Sequence, residues 1–254
     1  MQDVGVRYGA VPALAAISLI ALASEVLVLV GPNGSGKSSL VRSVAGIQRH
    51  DGQVGFADPQ GPRPRSSVRI GYVPQDIGSR TALTVTETVL LGRIGQLGLR
   101  VSDADLDAVK AVLASLDVLH LAARHLGELS GGQRQLVFLA QALAAEPDVL
   151  LLDEPTSALD VRHQLEVLEI VRSITAERGL ATVVVLHDLN AAARFADRIA
   201  VLDGGRLYGT GAPAATLTAA MLGDVFGIEA HVAVHGDGRP SVTPLRAIRG
   251  RTAA

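Results

Sequence analysis

Over positions 1–75 the apolar residues fall in short runs separated by glycine, proline and polar residues. The segments DVGVRY, EVLVLV, GQVGF and VRIGYV read as β-strands. The run 11–30, VPALAAISLIALASEVLVLV, is long enough to raise the question of a membrane span. Pro12 and Glu25 interrupt it, VLVLV leads straight into a glycine loop, and no cluster of positive charge precedes it as a secretory signal would require. The run is therefore expected to hold core strands and their connector. DPQGPRPRSS at 58–67 has the composition of a solvated turn rather than a binding patch.

From 84 to 145 the period lengthens to that of a helix. In SDADLDAVKAVLASLD, Ser102 and Asp105 form a capping box, and Leu106, Val109, Leu113 and Leu116 recur on one face as ordinary core. A buried strand VLLL at 149–152, a helix from about 162 to 178, a strand ATVVVL at 181–186 and a helix through 188–196 follow. Apolar strands alternating with helices predict a mostly parallel sheet covered on both faces. The pattern weakens after about 212, and RAIRGRTAA at the end is expected to be mobile.

Composition narrows the classes. A chain of 254 residues with 48% hydrophobic and 19% charged residues is globular rather than disordered. A net charge of −2 leaves no electrostatic footprint for nucleic acid. With no cysteine there is no disulfide, thiol nucleophile or cysteine zinc site, which is compatible with a reducing compartment.

The chemistry concentrates in a few places. Gly31-Pro32-Asn33-Gly34-Ser35-Gly36-Lys37-Ser38 matches the P-loop pattern, with VLVLV before it and the helix-compatible SLVRSVAG after it. Glycines let backbone N–H groups turn toward phosphate oxygens, Lys37 suits the β- and γ-phosphates, and the Ser38 hydroxyl suits Mg²⁺. Ser39 completes the loop. VLLLDE ends an apolar strand in Asp153 and Glu154; beside a P-loop, Asp153 suits Mg²⁺ directly or at one remove and Glu154 suits activation of water. Gln75 in GYVPQD and His187 in VVVLHDLN also follow strands, at the edge where open α/β sheets bind ligands. Taken alone, Gln75 could equally be an ordinary loop residue. Tyr8 could stack on a base or pack under the first strands. The other six histidines lack such context and read as surface or structural.

P-loop, VPQ, LSGGQ, LLLDEPTSALD and LHD occur in that order, and together they resemble the ATPase subunits of ATP-binding-cassette (ABC) transporters. The resemblance covers about residues 3–212. It implies an α/β P-loop NTPase fold with a RecA-like core, a small antiparallel β-subdomain and a helical subdomain at about 84–145, with 213–254 as a C-terminal extension. It also implies ATP and Mg²⁺ as ligands. Tyr8 then resembles the adenine-stacking aromatic, Gln75 the glutamine that senses Mg²⁺ and the membrane partner, Glu154 the catalytic base and His187 the γ-phosphate contact. Ser130, Gly131, Gly132 and Gln133 resemble the signature loop that meets the γ-phosphate held by a second cassette, and Asp160 the loop that crosses the dimer interface. Two positions depart from the pattern: Ser38-Ser39 replaces the commoner Ser-Thr, and Ser24 stands where glycine is usual.

Only residues 76–128 separate Gln75 from Leu129, which leaves no room for the coiled coil of DNA-repair relatives. A single cassette without membrane helices differs from the ribosome-acting relatives and most exporters. That favours an importer whose permease subunits are separate chains, with a homodimer of ATPase subunits seated on the cytoplasmic face of the membrane and a substrate-binding protein acting indirectly. ETVLLGRIGQLGL, LDVRHQLEVLEIV and MLGDVFGIEAHVAVHGDGRPSVTPL resemble importers of iron chelates (siderophores), haem and cobalamin. In that group LLGRIGQLGL lies beside the surface receiving the permease's coupling helix. The short, proline-rich 51–69 region departs from the group and keeps uptake of zinc or manganese open. A soluble nucleotide switch is the alternative from another class.

Overall fold

Strand-forming runs at the start of the chain pair locally before the sheet core is reached. The computed structural model describes residues 1–75, 82–96, 100–157 and 159–248. β1 (Gln2–Tyr8) and β2 (Val11–Ile17) form an antiparallel hairpin, and after β3 (Glu25–Val30) and α1 (Lys37–Ala45) the strand β4 (Asp51–Gln53) returns to β1. The apolar run 11–30 thus becomes two strands and their connector. Glu25, which interrupts it, is buried and held by Arg198 Nη1 at 3.0 Å, and it accepts the Leu22 amide at 2.7 Å. Ser24 adopts a φ of 59°, a left-handed conformation that a glycine takes without steric penalty.

GQVGF does not form one strand. β4 ends at Gln53, and β5 (Phe56–Asp58) pairs instead with β6 (Gly61–Arg63). The 58–67 segment is also not merely a solvated turn. The hairpin folds its arginines back onto the domain: Arg63 pairs with Asp148 at 3.0 Å, while Arg65 lies 5.4 Å over the Phe56 ring and donates to the Ala45 carbonyl at 3.2 Å.

The remaining core elements are β7 (Ile70–Val73), α2 (Val85–Leu91), α3 (Asp103–Ser115), α4 (Gly131–Ala144), β8 (Val149–Asp153), α5 (Val161–Arg178), β9 (Ala181–Val185), α6 (Leu189–Phe195), β10 (Arg198–Asp203) and β11 (Arg206–Gly211). The six-stranded sheet has the order β11-β10-β3-β9-β8-β7, parallel except for the β10–β11 pair. Every residue of β3 is buried because alternate side chains enter different cores. Val26, Val28 and Val30 join the α2–α6 side; Leu27 and Leu29 join α1, β1 and β2. In α3 the Ser102–Asp105 capping box is present, with Val109, Leu113 and Leu116 buried and Leu106 half-buried.

Beyond 212 the chain continues as α7 (Pro213–Thr216), α8 (Ala219–Met221) with a π turn at Leu222–Phe226, and the antiparallel pair β12 (Ile228–Val234) and β13 (Pro240–Ala247). Leu217, Met221, Val225 and Val242 belong to the same buried cluster as α5 and α6. The Asn190 side-chain amide clamps Val242, donating to its carbonyl at 3.1 Å and accepting its amide at 2.8 Å. The end expected to be mobile lies from residue 249 onward outside the described residues. Among the described residues, no helix is long and apolar enough to cross a membrane.

Candidate functional site

Parallel pairing brings the predicted loops to one sheet edge. Leu29 and Asp153 both face Val185, and Leu152 faces Val73, so the chain leaves β3, β7, β8 and β9 at neighbouring points. From these exits come the glycine loop, Gln75, Asp153-Glu154 and His187. Tyr8, Asn33, Gly34, Gly36, Lys37, Ser38, Ser39, Gln75, Glu154 and His187 line one cleft of about 620 Å³.

The glycine loop needs its glycines. Gly34 and Gly36 have φ of 78° and 96°, and a Cβ on Gly36 would lie 2.6 Å from the Ala13 carbonyl oxygen. Lys37, first residue of α1, is buried and donates to the carbonyls of Gly31 and Pro32, each at 2.8 Å. Among the described residues no carboxylate lies within ion-pair distance of its ammonium. Burial lowers the Lys37 pKa, and the charges of Glu154 and Asp153 oppose that shift. The Ser35 hydroxyl is buried without a partner.

Asp153 and Glu154 are adjacent but placed differently. Asp153 is fully buried; its Oδ1 accepts from the Ser38 hydroxyl at 2.9 Å. Its Oδ2 has no hydrogen-bond partner, and the Arg42 guanidinium stands off at 3.9 Å. Burial raises the Asp153 pKa, with the Ser38 hydrogen bond and Arg42 pulling the other way. Glu154 leaves the strand with a φ of 53°, which swings its carboxylate into the cleft. Oε1 meets His187 Nε2 at 2.5 Å, and Oε2 accepts from Gln75 Nε2 at 2.7 Å.

A buried ammonium with no carboxylate in ion-pair contact lies near a buried carboxylate with one oxygen lacking a hydrogen bond. Such an arrangement is unfavourable alone. A phosphate chain at Lys37 with a divalent cation near Ser38 and Asp153 would relieve both, so the residues present fit Mg²⁺ and a nucleotide triphosphate.

Tyr8 is half exposed at the rim, its hydroxyl 3.2 Å from both Ser39 Oγ and Gln48 Oε1. The other glycine turn is elsewhere. Ser130 caps α4 in a capping box with Gln133, and Ser130, Gly131, Gly132 and Gln133 do not line the cleft. Asp160 caps α5 and is exposed. Hydrogen bonds from the His163 backbone and ring hold its carboxyl below the usual range. Sequence reasoning passed over three residues. Arg42 and Tyr72 lie together near Asp153, and the hint was the spacing of Arg42, one helical turn after Ser38. His163 packs against Gly132, a contact with no signal in the chain.

A model of the ABC transporter family matches residues 14–157. The hemin import ATP-binding protein of Pseudomonas fluorescens is 42% identical over 252 residues, covering 95% of this chain and 98% of that protein. The cobalamin import ATP-binding protein of Halobacterium salinarum is 40% identical over 224 residues, covering 85% of this chain and 56% of that protein. An inward-facing metal-chelate type ABC transporter superposes with a TM-score of 0.83 at 28% identity, covering 96% of each chain. A dimeric bacterial ABC transporter cassette gives 0.72 at 26% identity, covering 84% of this chain and 97% of that one. A glycine loop, the Glu154 carboxylate just after a strand and a histidine sharing one cleft agree with those likenesses, and the chain belongs to the ABC transporter family of ATP-binding cassettes.

Proposed function

We propose that this chain binds and hydrolyses ATP as the motor subunit of an importer for haem or a related metal chelate. The observation that carries the hydrolytic reading is the Glu154 carboxylate, held by His187 and Gln75 across one cleft from Lys37 and Ser38. Lys37 and the amides of the loop after Asn33 and Gly34 bind phosphates, Ser38 and Ser39 complete the cradle, and Tyr8 stacks on the adenine. Mg²⁺, held through Ser38 with Asp153 and Gln75 close by, supplies charge neutralisation when bound. Each Glu154 oxygen keeps a second lone pair beyond its contact with His187 or Gln75, through which the carboxylate can accept from a water and take its proton as general base. His187 then faces the γ-phosphate. Phosphoryl transfer needs positioning and charge stabilisation rather than a covalent nucleophile.

Ser130, Gly131, Gly132 and Gln133 stand outside this cleft with the positive end of α4 behind them. They serve a second copy's nucleotide in a head-to-tail homodimer, with Asp160 at the seam. A groove of about 580 Å³, lined by Tyr72, Leu83, Leu91, Phe138 and Gln141, suits an apolar coupling helix of the permease. The homodimer is peripheral on the cytoplasmic face of the membrane, and the substrate-binding protein acts through the permease. The names of the relatives and the tail resemblance favour haem, a siderophore or cobalamin over free metal.

The test is to purify the chain with its permease and load the substrate-binding protein with haem, cobalamin, a ferric chelate or zinc in turn. ATPase activity is expected to rise with a chelate. A rise with zinc alone would replace the substrate class, and a chain that never co-purifies with a membrane protein would overturn transport.

A further inference from the structure

Between Glu154 and α5 the chain makes a short loop whose backbone is held by the Gln164 side chain from the first turn of α5. Gln164 Nε2 donates to the carbonyls of Thr156 and Leu159 at 3.2 and 3.0 Å. The Ser157 amide donates back to the Glu154 carbonyl at 3.3 Å. Asp160 Oδ1 accepts the His163 amide at 2.9 Å, which by itself satisfies the helix cap. The His163 ring adds a second bond, Nδ1 to the same oxygen at 2.8 Å. A carboxylate only accepts, so Nδ1 carries the proton.

That extra bond fixes the ring where it meets α4. A Cβ on Gly132 would lie 2.9 Å from His163 Cδ2 and 3.2 Å from Cγ. Gly132 is in the first turn of α4, so its backbone conformation is one any residue adopts. What the position excludes is bulk against the imidazole. Two residues earlier, Ser130 caps the same helix through the Gln133 amide. A continuous series of contacts therefore runs from Glu154, through the loop and His163, to the start of α4.

We propose that His163 is a positioning residue that ties the loop leaving Glu154 to the start of α4. The carboxylate serving one nucleotide and the serine serving the partner's nucleotide then shift as one rigid unit. The inference rests on the two-site reading given above. His163 touches no substrate; it acts by fixing where Gly132 and Asp160 sit. Its imidazole is partly exposed, with a side-chain exposure of 41%, so its loss leaves the buried core intact.

The experiment uses the assembled ATPase and a double-mutant cycle between His163→Ala and Gly132→Ala. His163→Ala is expected to slow turnover by about tenfold to 10²-fold, as a misplaced catalytic group does, with unchanged KM and ATP affinity. His163→Asn, which keeps a donor toward Asp160, should recover part of that loss. Gly132→Ala pushes on the ring, so the double variant should be no slower than Gly132→Ala alone. Multiplying losses, normal turnover in His163→Ala, or reduced ATP affinity in it would each overturn the proposal. If the unmodified chain fails to hydrolyse ATP, the two-site reading itself falls, and that outcome is distinct from these.

Discussion

The turns at 31–38 and 130–133 look alike in sequence: glycines and hydroxyls opening a helix. Their physical constraints differ. In the first, Gly31, Gly34 and Gly36 all have positive φ, and a Cβ on Gly31 would come within 2.1 Å of the Leu202 carbonyl oxygen. The loop closes over a buried lysine and lies against β2 and β10. In the second, both glycines belong to the regular first turn of α4, and the nearest obstacle to a side chain at Gly132 is His163. Ser130 is exposed, and its local partner is the Gln133 amide at 3.3 Å. A glycine-rich turn thus marks either an enclosed ligand cradle or an outward-facing helix start. The backbone conformation and the neighbours tell them apart.

The largest expected effect separates the two turns from the chemistry between them. Glu154→Gln should retain ATP binding but slow hydrolysis by roughly 10²–10⁴-fold, the range for losing a general base. Near-normal steady-state turnover would remove Glu154 from that role. Next, Lys37→Ala should weaken ATP binding by the isolated chain by roughly 10–10²-fold, from the 1.5–3 kcal/mol of a charge-assisted hydrogen bond. Calorimetric titration with unchanged affinity would mean that the first turn is not the phosphate cradle. The smallest effect on binding belongs to the second turn. Ser130→Arg should leave the isolated chain's ATP affinity unchanged while stopping hydrolysis in the pair. Lost affinity in the monomer would place Ser130 in its own chain's site and erase the distinction.

Most of the candidate cleft was legible because its residues are marked by local chemistry. The P-loop announces its glycines, and Asp153-Glu154 and His187 end recognisable apolar strands. The Ser102–Asp105 box was legible for the same reason, since two residues three positions apart make the bonds themselves. Arg63 was not: its partner Asp148 is 85 residues away, and nothing near 58–67 signals that contact. GQVGF was misread as one strand because Val54 and Gly55 interrupt pairing that only the separate partners, β1 and β6, reveal. The tail after 212 gave no clear period since its short helices bury scattered residues against α5 and α6.

By itself the sequence determined the alternation of strands and helices, the two-sided burial of β3 and the residue types available for phosphate, metal and proton chemistry. Those follow from periodicity and short-range bonding. Tertiary structure alone decided that Asp153 turns inward to Ser38 while its neighbour Glu154 turns to His187 and Gln75. It also decided that His163, one histidine among seven, lies under Gly132. Both outcomes depend on the register of parallel strands and the packing of distant helices. Contacts across connections of tens of residues leave no local trace in the chain.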